Sequence, residues 1–347
     1  MAKVRKRGEQ IRQFILENVE QAPHDIAAKT AEQFGISRQA VNKHLARLVE
    51  EKALVMEGQT RNRTYNLRSV AAWDKFYRIG ESITEDLAWR ELKPALAHLP
   101  ENVVNIWHYG FTEMFNNAID HSGGSQIHVR LEKTAISCVL RVLDDGVGIF
   151  KKIQAALALL DERHAVLALA KGKFTTDRAH HTGEGIFFTS RMMDAFSIIS
   201  GSTYFKHSYA EEEGWLFEGA APAQGTMVAM RLSNRAARTD TEVYAQYTSG
   251  GEDRGFTRTV VPVRLAEYGD DKLVSRSQAK RVLAGLEDFK VVVFDFTDVA
   301  SIGPAFADEL FRVFANEHPK IELVPAHANT DVQDMVNRAL HARAASA

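Results

Sequence analysis

The chain has little that would staple it together or anchor it. Cys138 is the single cysteine among 347 residues. That excludes an intrachain disulfide and a multi-cysteine zinc site, and it suits a reducing compartment. Within the apolar run Ile136–Leu143 this thiol reads as a small core residue. No apolar run reaches the roughly 18–20 residues of a membrane span. Arg12 and Gln13 interrupt Ile11–Ile15, so the basic N-terminus does not read as a signal peptide. A cytoplasmic protein with no membrane partner is the expectation. Internal repeats and extended low-complexity stretches are also lacking. A formal net charge of −2 excludes a polycation that coats nucleic acid indiscriminately. The charge is uneven, however: residues 1–70 hold 13 Lys and Arg against 8 Asp and Glu. A basic N-terminal module with an anionic partner follows.

Three units are expected: residues 1–70, 71–237 and 256–347, with the polar, glycine-rich stretch 238–255 as a linker. The first boundary is set near Arg68–Ala72, where a strand-like pattern is read as giving way to helix.

In the first unit, Ile11, Phe14, Ile15 and Val19 share one helical face. A second helix starts after Asp25, Gly35 breaks the chain, and Ser37 caps a third helix, Arg38–Lys52. That third helix turns Val41, Leu45, Leu48 and Val49 inward and leaves Arg38, Gln39, Asn42, Lys43 and Arg47 for contact with bases and phosphates. The segments Ala53–Val55 and Arg63–Leu67 read as a hairpin with Arg61 and Arg63 near its tip. The unit resembles a winged helix-turn-helix, and the resemblance implies DNA as its partner, the tip touching the phosphate backbone.

The middle unit carries the chemistry. A helix over Asn105–His121 places Glu113 and Asn117 four residues apart on one face, two oxygen donors suited to magnesium and to orienting a water. A strand, Ile136–Leu143, ends in Asp144-Asp145-Gly146-Val147-Gly148, where a carboxylate can accept from an exocyclic amine and glycines let the backbone approach a flat ring. Thr182-Gly183-Glu184-Gly185 opens another helix whose free N–H groups can meet phosphate oxygens. Gly225-Thr226 then precedes a strand. Each feature alone is weak. In this order and spacing they resemble the GHKL (Bergerat-fold) family of gyrase, chaperone, histidine-kinase and mismatch-repair ATPases, over roughly residues 85–233.

That resemblance implies ATP and magnesium as cofactors and admits a homodimer. Asn117 would ligate the magnesium, and Glu113 would be the general base or orient the attacking water. Asp144 would accept the adenine amine, Gly146 and Gly148 would line the nucleotide, and Thr226 would support the adenine contact. Lys171–Gly185 would cover the phosphates, with Thr182, Gly183 and Gly185 at the phosphate end and Lys171 and Lys173 as phosphate partners. The sequence departs from the family pattern at His181, where glycine is common, and at Glu184, which puts a negative charge beside a polyphosphate. His108 and His121 lack the context of a phosphoacceptor helix.

In the last unit a buried strand, Val291–Phe296, leads into Ser301-Ile302-Gly303-Pro304, a helix, a short strand and a final helix. This pattern resembles the STAS-like fold of anti-sigma-factor antagonists and implies a protein-contact role. In those proteins a serine just before the glycine is phosphorylated by a GHKL kinase; here that position is Ile302. Ser275 reads as an N-cap. The fold class expected is α+β multidomain: winged helix, Bergerat-type α/β sandwich, STAS-like domain. The leading function is a transcriptional regulator whose nucleotide state sets DNA binding. The alternatives are an anti-sigma-type serine/threonine kinase and an ATP-hydrolysing clamp.

Overall fold

Alternation builds the central layer. In β4 (Gln126–Lys133) Ile127, Val129 and Leu131 are buried, and in β5 (Ser137–Asp144) Cys138, Leu140 and Val142 are, so one face of the sheet is apolar. The computed structural model describes residues 2–59, 62–80, 83–159, 161–173, 183–209, 211–248, 255–267 and 272–344. Its five-stranded sheet runs β3-β4-β5-β7-β6, with β3 at Ala71–Arg78, β6 at Ala195–Ser208 and β7 at Glu211–Ser233; every pair is antiparallel. On the apolar face lies α5 (Glu101–His121), which buries Val103, Ile106, Trp107, Phe111, Met114, Phe115 and Ala118. Its other face is polar, with Glu132 paired to Arg130 and Arg141. This is a two-layer sandwich.

Gly110 of α5 is there for close packing. A Cβ on it would stand 2.6 Å from Met193 Cε, at the end of α8 (Gly185–Met192). Arg238 closes the same region: it donates to Met192 O and Asp194 Oδ1, at 2.7 and 2.6 Å, and lies 4.1 Å from the centre of the Tyr209 ring.

The N-terminal unit consists of α1 (Ala2–Asn18), α2 (Ile26–Phe34), α3 (Arg38–Glu50) and the antiparallel hairpin β1 (Leu54–Glu57) and β2 (Thr64–Leu67). Gly35 takes the left-handed C-cap conformation after α2, and Ser37 Oγ accepts the Ala40 N–H at the start of α3. Ile11, Ile15, Val19, Ile26, Val41, Leu45, Leu48 and Leu54 form a separate small core. Two expectations fail nearby. The segment after Arg68 is strand β3, which pairs with β4 along its length; its burial alternates, but Lys75 faces inward and Phe76 outward, which breaks the apolar pattern in the sequence. The middle helix also begins four residues earlier than expected, directly after Pro100.

The C-terminal unit has a parallel sheet, order β10-β9-β8, from β8 (Arg258–Pro262), β9 (Val291–Asp295) and β10 (Glu322–Ala326). Parallel pairing requires crossovers. These are a helix at Arg276–Leu283 and a composite of helices Pro304–Asp308 and Ala315–Glu317 around a π-helical stretch; Thr330–Ala344 is the final helix. Ser275 caps the first crossover in a capping box with Gln278. The stretch 238–255, expected as a linker, begins instead with a seven-residue helix, Asp240–Gln246, under its own Thr239–Glu242 capping box. Tyr244 and Tyr247 from it and Phe256 beyond it pack on Phe187 and Phe188 of α8. Helix α4 (Glu85–Leu92) precedes α5, and in order after it come α6 (Ile149–Ala156), α7 (Arg163–Lys171), α8, α9 (Asp240–Gln246), α10 (Arg276–Leu283), α11 (Pro304–Asp308), α12 (Ala315–Glu317) and α13 (Thr330–Ala344).

Arg238 is about nine-tenths enclosed, so Arg238→Ala leaves Asp194 Oδ1 and Met192 O without their donor. A loss of about 2 kcal/mol in unfolding free energy is expected, read by denaturant titration of the full chain.

Candidate functional site

The site grows from the C-terminal end of β5. Asp144 stands opposite Thr226 in the register of β5 and β7. Its Oδ1 accepts the Gly146 N–H at 3.0 Å and the Thr226 N–H at 3.2 Å. Two backbone donors on one oxygen fix the plane of the carboxylate. Burial pushes its pKa up, against the pull of these hydrogen bonds. Thr226 is used twice, because its Oγ1 also accepts the Ile149 N–H at the start of α6.

The glycines around Asp144 leave no room for side chains. A Cβ on Gly225, at φ +76°, would fall on the Asp144 carbonyl oxygen, and one on Gly146 would fall on the Ser122 carbonyl oxygen. Gly148, at φ +98°, would meet Ser200 Oγ at 2.5 Å. The result is bare backbone on both sides of a half-buried carboxylate.

Asp145 does a different job. Its carboxylate accepts from Ser125 N, Ser125 Oγ and Gln126 N, tying the loop after β5 to the start of β4. The Ser125 hydroxyl leads these bonds in holding its pKa down to about 2. The Asp-Asp pair therefore splits into a half-buried acid and a loop tie, a division the spacing alone did not reveal.

Glu113 and Asn117 lie half-buried on α5. Glu113 reaches the N-terminus of α8: a Cβ on Gly185 would land on its carboxylate. Glu184, the residue before Gly185, is half-buried as well, and burial raises its pKa while the charge of Lys173 draws it back down. Tyr109, one turn before Glu113, meets Tyr244 of α9 edge to face at 5.8 Å. Burial first, then the Glu113 charge, raises the Tyr109 phenol. Gly183 has φ +73° and opens the way into α8. Among the described residues no three His, Cys, Asp or Glu side chains form a metal-binding group. A magnesium ion at Asn117 would therefore need phosphate oxygens to complete its shell, which matches the ion's habit of binding through few protein ligands.

The lysines stand elsewhere than expected. Lys171 is buried and donates to Arg281 O and Ala284 O at 2.9 and 2.8 Å, the C-terminal carbonyls of α10. Burial brings its pKa down to about 7. Lys173 donates to Asp288 O at 2.8 Å and sits 4.5 Å from the Phe289 ring centre. Both cations are engaged by the C-terminal unit, whose residues lie more than 100 positions away in sequence. Thr182, His181 and Arg61 lie outside the described residues.

Toward the other end of β5 and β7, beginning about 17 Å from Asp144 by strand rise, the N-terminal unit makes contact. Arg231 donates to Glu20 Oε2 at 2.7 Å, and Arg235 to Gln13 Oε1 at 3.2 Å. On that unit Arg38, Gln39, Asn42, Lys43, Arg47 and Arg63 are all exposed, with Arg47 also paired to Glu51. In the C-terminal unit Ile302 is buried and bridged to Leu273, and Ser301 is half-buried.

Comparison with known proteins places two of the three units. The family model of the histidine kinase-like ATPase domain matches residues 86–204, which takes in Glu113, Asn117, Asp144 and Gly185 but stops before Thr226. No curated protein matches the chain. The family model of a STAS-like domain of unknown function (DUF4325) matches residues 278–333. The chain thus pairs a histidine kinase-like ATPase domain with a STAS-like domain in one α+β protein.

Proposed function

We propose that the chain is an ATP-binding transcriptional regulator, in which nucleotide held by the ATPase-like domain sets the DNA affinity of a winged helix at residues 1–70. The observation that carries nucleotide binding is the Asp144 carboxylate, fixed by two backbone donors between glycines at the end of β5. In this reading Asp144 accepts the exocyclic amine of adenine, and the backbone at Gly146 and Gly148 covers the ring. Thr226 sets the acid in place. Asn117 holds magnesium through the phosphates, and Gly183 and Gly185 offer N–H groups to them, Thr182 with them. Glu113 orients or deprotonates the attacking group.

DNA binding rests on the basic balance of residues 1–70 and on the exposed row Arg38, Gln39, Asn42, Lys43 and Arg47 on α3, beside Arg63 on the hairpin. The link between the two activities is β7. It carries Thr226 at the nucleotide end and Arg231, which grips Glu20 of the N-terminal unit, at the other. Coupling of this kind needs nucleotide to favour one arrangement by about 1–3 kcal/mol.

A second reading, a serine/threonine kinase of the anti-sigma type, is favoured by the STAS-like domain in the same chain. Buried Ile302 at the expected phosphoacceptor position directs that reading to a partner protein rather than to the chain itself.

Asp144→Asn is the sharp test of the site. The two backbone donors claim the amide oxygen, so the Asn NH2 faces the adenine amine, donor against donor. A loss of about 2 kcal/mol, roughly 30-fold in affinity, is expected by calorimetric titration with Mg-ATP; equal binding by both proteins refutes the assignment. Glu113→Ala should keep nucleotide binding but lose phosphate release or, with γ-labelled ATP, label transfer to a partner. DNA affinity of the wild type should change about 5-fold or more on adding Mg-ATP, and not at all in Asp144→Asn. Indifference of DNA binding to ATP, with ATP bound tightly, refutes the coupling.

A further inference from the structure

One strand beyond Asp144 and Thr226, the ladder between β6 and β7 breaks. Ser200 stands opposite Thr226, but the next pair is Gly201 with Ala223, so Gln224 and Gly225 bulge out of register. At this break the Ser200 hydroxyl donates to the Gly225 carbonyl at 2.9 Å. Ser200 is buried, and its Oγ also takes the space beside Gly148, where a Cβ would stand 2.5 Å from it. One hydroxyl therefore lies against both Gly225 and Gly148, the bare backbone on either side of the acid.

The Gly225 carbonyl and the Thr226 N–H belong to the same peptide unit, which is planar and moves as one piece. Asp144 Oδ1 accepts that N–H at 3.2 Å, and Ser200 holds the carbonyl on the opposite edge. The unit is pinned at both ends. Without the Ser200 end it turns easily, because Gly225, at φ +76°, has no Cβ to resist a change in its backbone angles. The pin decides what Asp144 offers to a ligand. With the Gly146 and Thr226 N–H groups both on Oδ1, the two lone pairs of that oxygen are filled and a base meets Oδ2. A single oxygen suits a single donor, the exocyclic amine of adenine. A carboxylate with both oxygens open suits the adjacent donors of guanine, its ring N–H and its amine, in a bidentate contact.

We propose that Ser200 is a positioning residue that sets the preference of the site for adenine over guanine. By fixing the Gly225–Thr226 peptide it keeps Oδ1 occupied and leaves one oxygen for the base. Ser200 acts through the Gly225 carbonyl, not on the base itself. The inference rests on the nucleotide reading above and adds to it the base selectivity and the residue that controls it.

The experiment titrates the full chain calorimetrically with Mg-ATP and with Mg-GTP. The wild type should prefer ATP by about 10-fold or more. Ser200→Ala removes the hydroxyl and frees the peptide. ATP should then weaken about 10-fold while GTP holds or tightens, so that the preference falls toward one. Ser200→Cys is nearly the same in size and keeps a weak donor, and its preference should lie between the two. A role confined to packing would weaken both nucleotides equally. Thermal melts establish that each variant folds; where Ser200→Ala does not, Ser200→Cys carries the comparison, with a preference below that of the wild type. Equal weakening of ATP and GTP, an unchanged preference, or a wild type that binds both equally overturns the selectivity role. A wild type that binds neither nucleotide overturns the nucleotide reading itself.

Discussion

Two backbone N–H groups on one carboxylate oxygen organise the central domain. For Gly146 N and Thr226 N both to reach Asp144 Oδ1, the loop after β5 must curl back over the strand end while β7 arrives in register beside it. That crossing is so tight that Gly225 and Gly146 have no space for a Cβ. Once it is made, Ile149 N–H finds Thr226 Oγ1 and α6 starts where it does. The neighbouring loop is pinned by Asp145 on Ser125 and Gln126. A buried acid costs free energy unless it is hydrogen-bonded. Here its bonds also supply the local shape, so one group orders the backbone and presents an acceptor.

Those parts of the fold with strong local signals were legible in the residues. The β5 strand announces itself through Cys138, Leu140 and Val142, α5 through its apolar face, and the α2–α3 turn through Gly35 and Ser37. Where the signal is weak, the reading fails for a physical reason. Burial along edge strand β3 does alternate, but Lys75 takes an inward position and Phe76 an exposed one, so the residue types hide the period. Helix α9 is seven residues long, too short for a clear helical period, and its polar start hides it in a glycine-rich stretch. Yet Thr239 and Glu242 spell a capping box at the right spacing, and that local signal could have found it. The site divides the same way. Asp144 and its glycines are neighbours in sequence, whereas the partners of Lys171 and Lys173 lie 110 to 115 residues on. No local pattern carries that information.

Those distant partners change the electrostatics of the phosphate end. Two carboxylates face the α8 N-terminus and the lysines nearest it in sequence are held by the STAS-like domain. Nearby acids favour a ligand that brings its own cation, and Asn117 one turn beyond Glu113 adds a neutral oxygen donor to such an ion. The adenine end asks for nothing comparable, being a neutral ring against bare backbone and one acceptor. In the proposed function, affinity for the base would be set by β5 and β7, and affinity for the phosphates by α8 beside the C-terminal domain.

That separation matters for any signal that leaves the site. The N-terminal unit touches the central domain at Arg231, on the strand that also bears Thr226, and at Arg235 just beyond that strand's end. The STAS-like domain touches it through α7, α8 and the aromatic group of Phe187, Phe256 and Phe289. In the proposed function, a change at the base would therefore reach β7 and the basic module first, and a change at the phosphates would reach the STAS-like domain first. The exposed Arg231–Glu20 pair is worth little by itself, so transmission toward the basic module has to come from the position of β7 as a rigid strand. Lys171 is enclosed and hydrogen-bonded to the C-terminal carbonyls of α10, a far stiffer joint. Of the two contacts, the one with the C-terminal unit is therefore the stiffer, and it lies directly against α8.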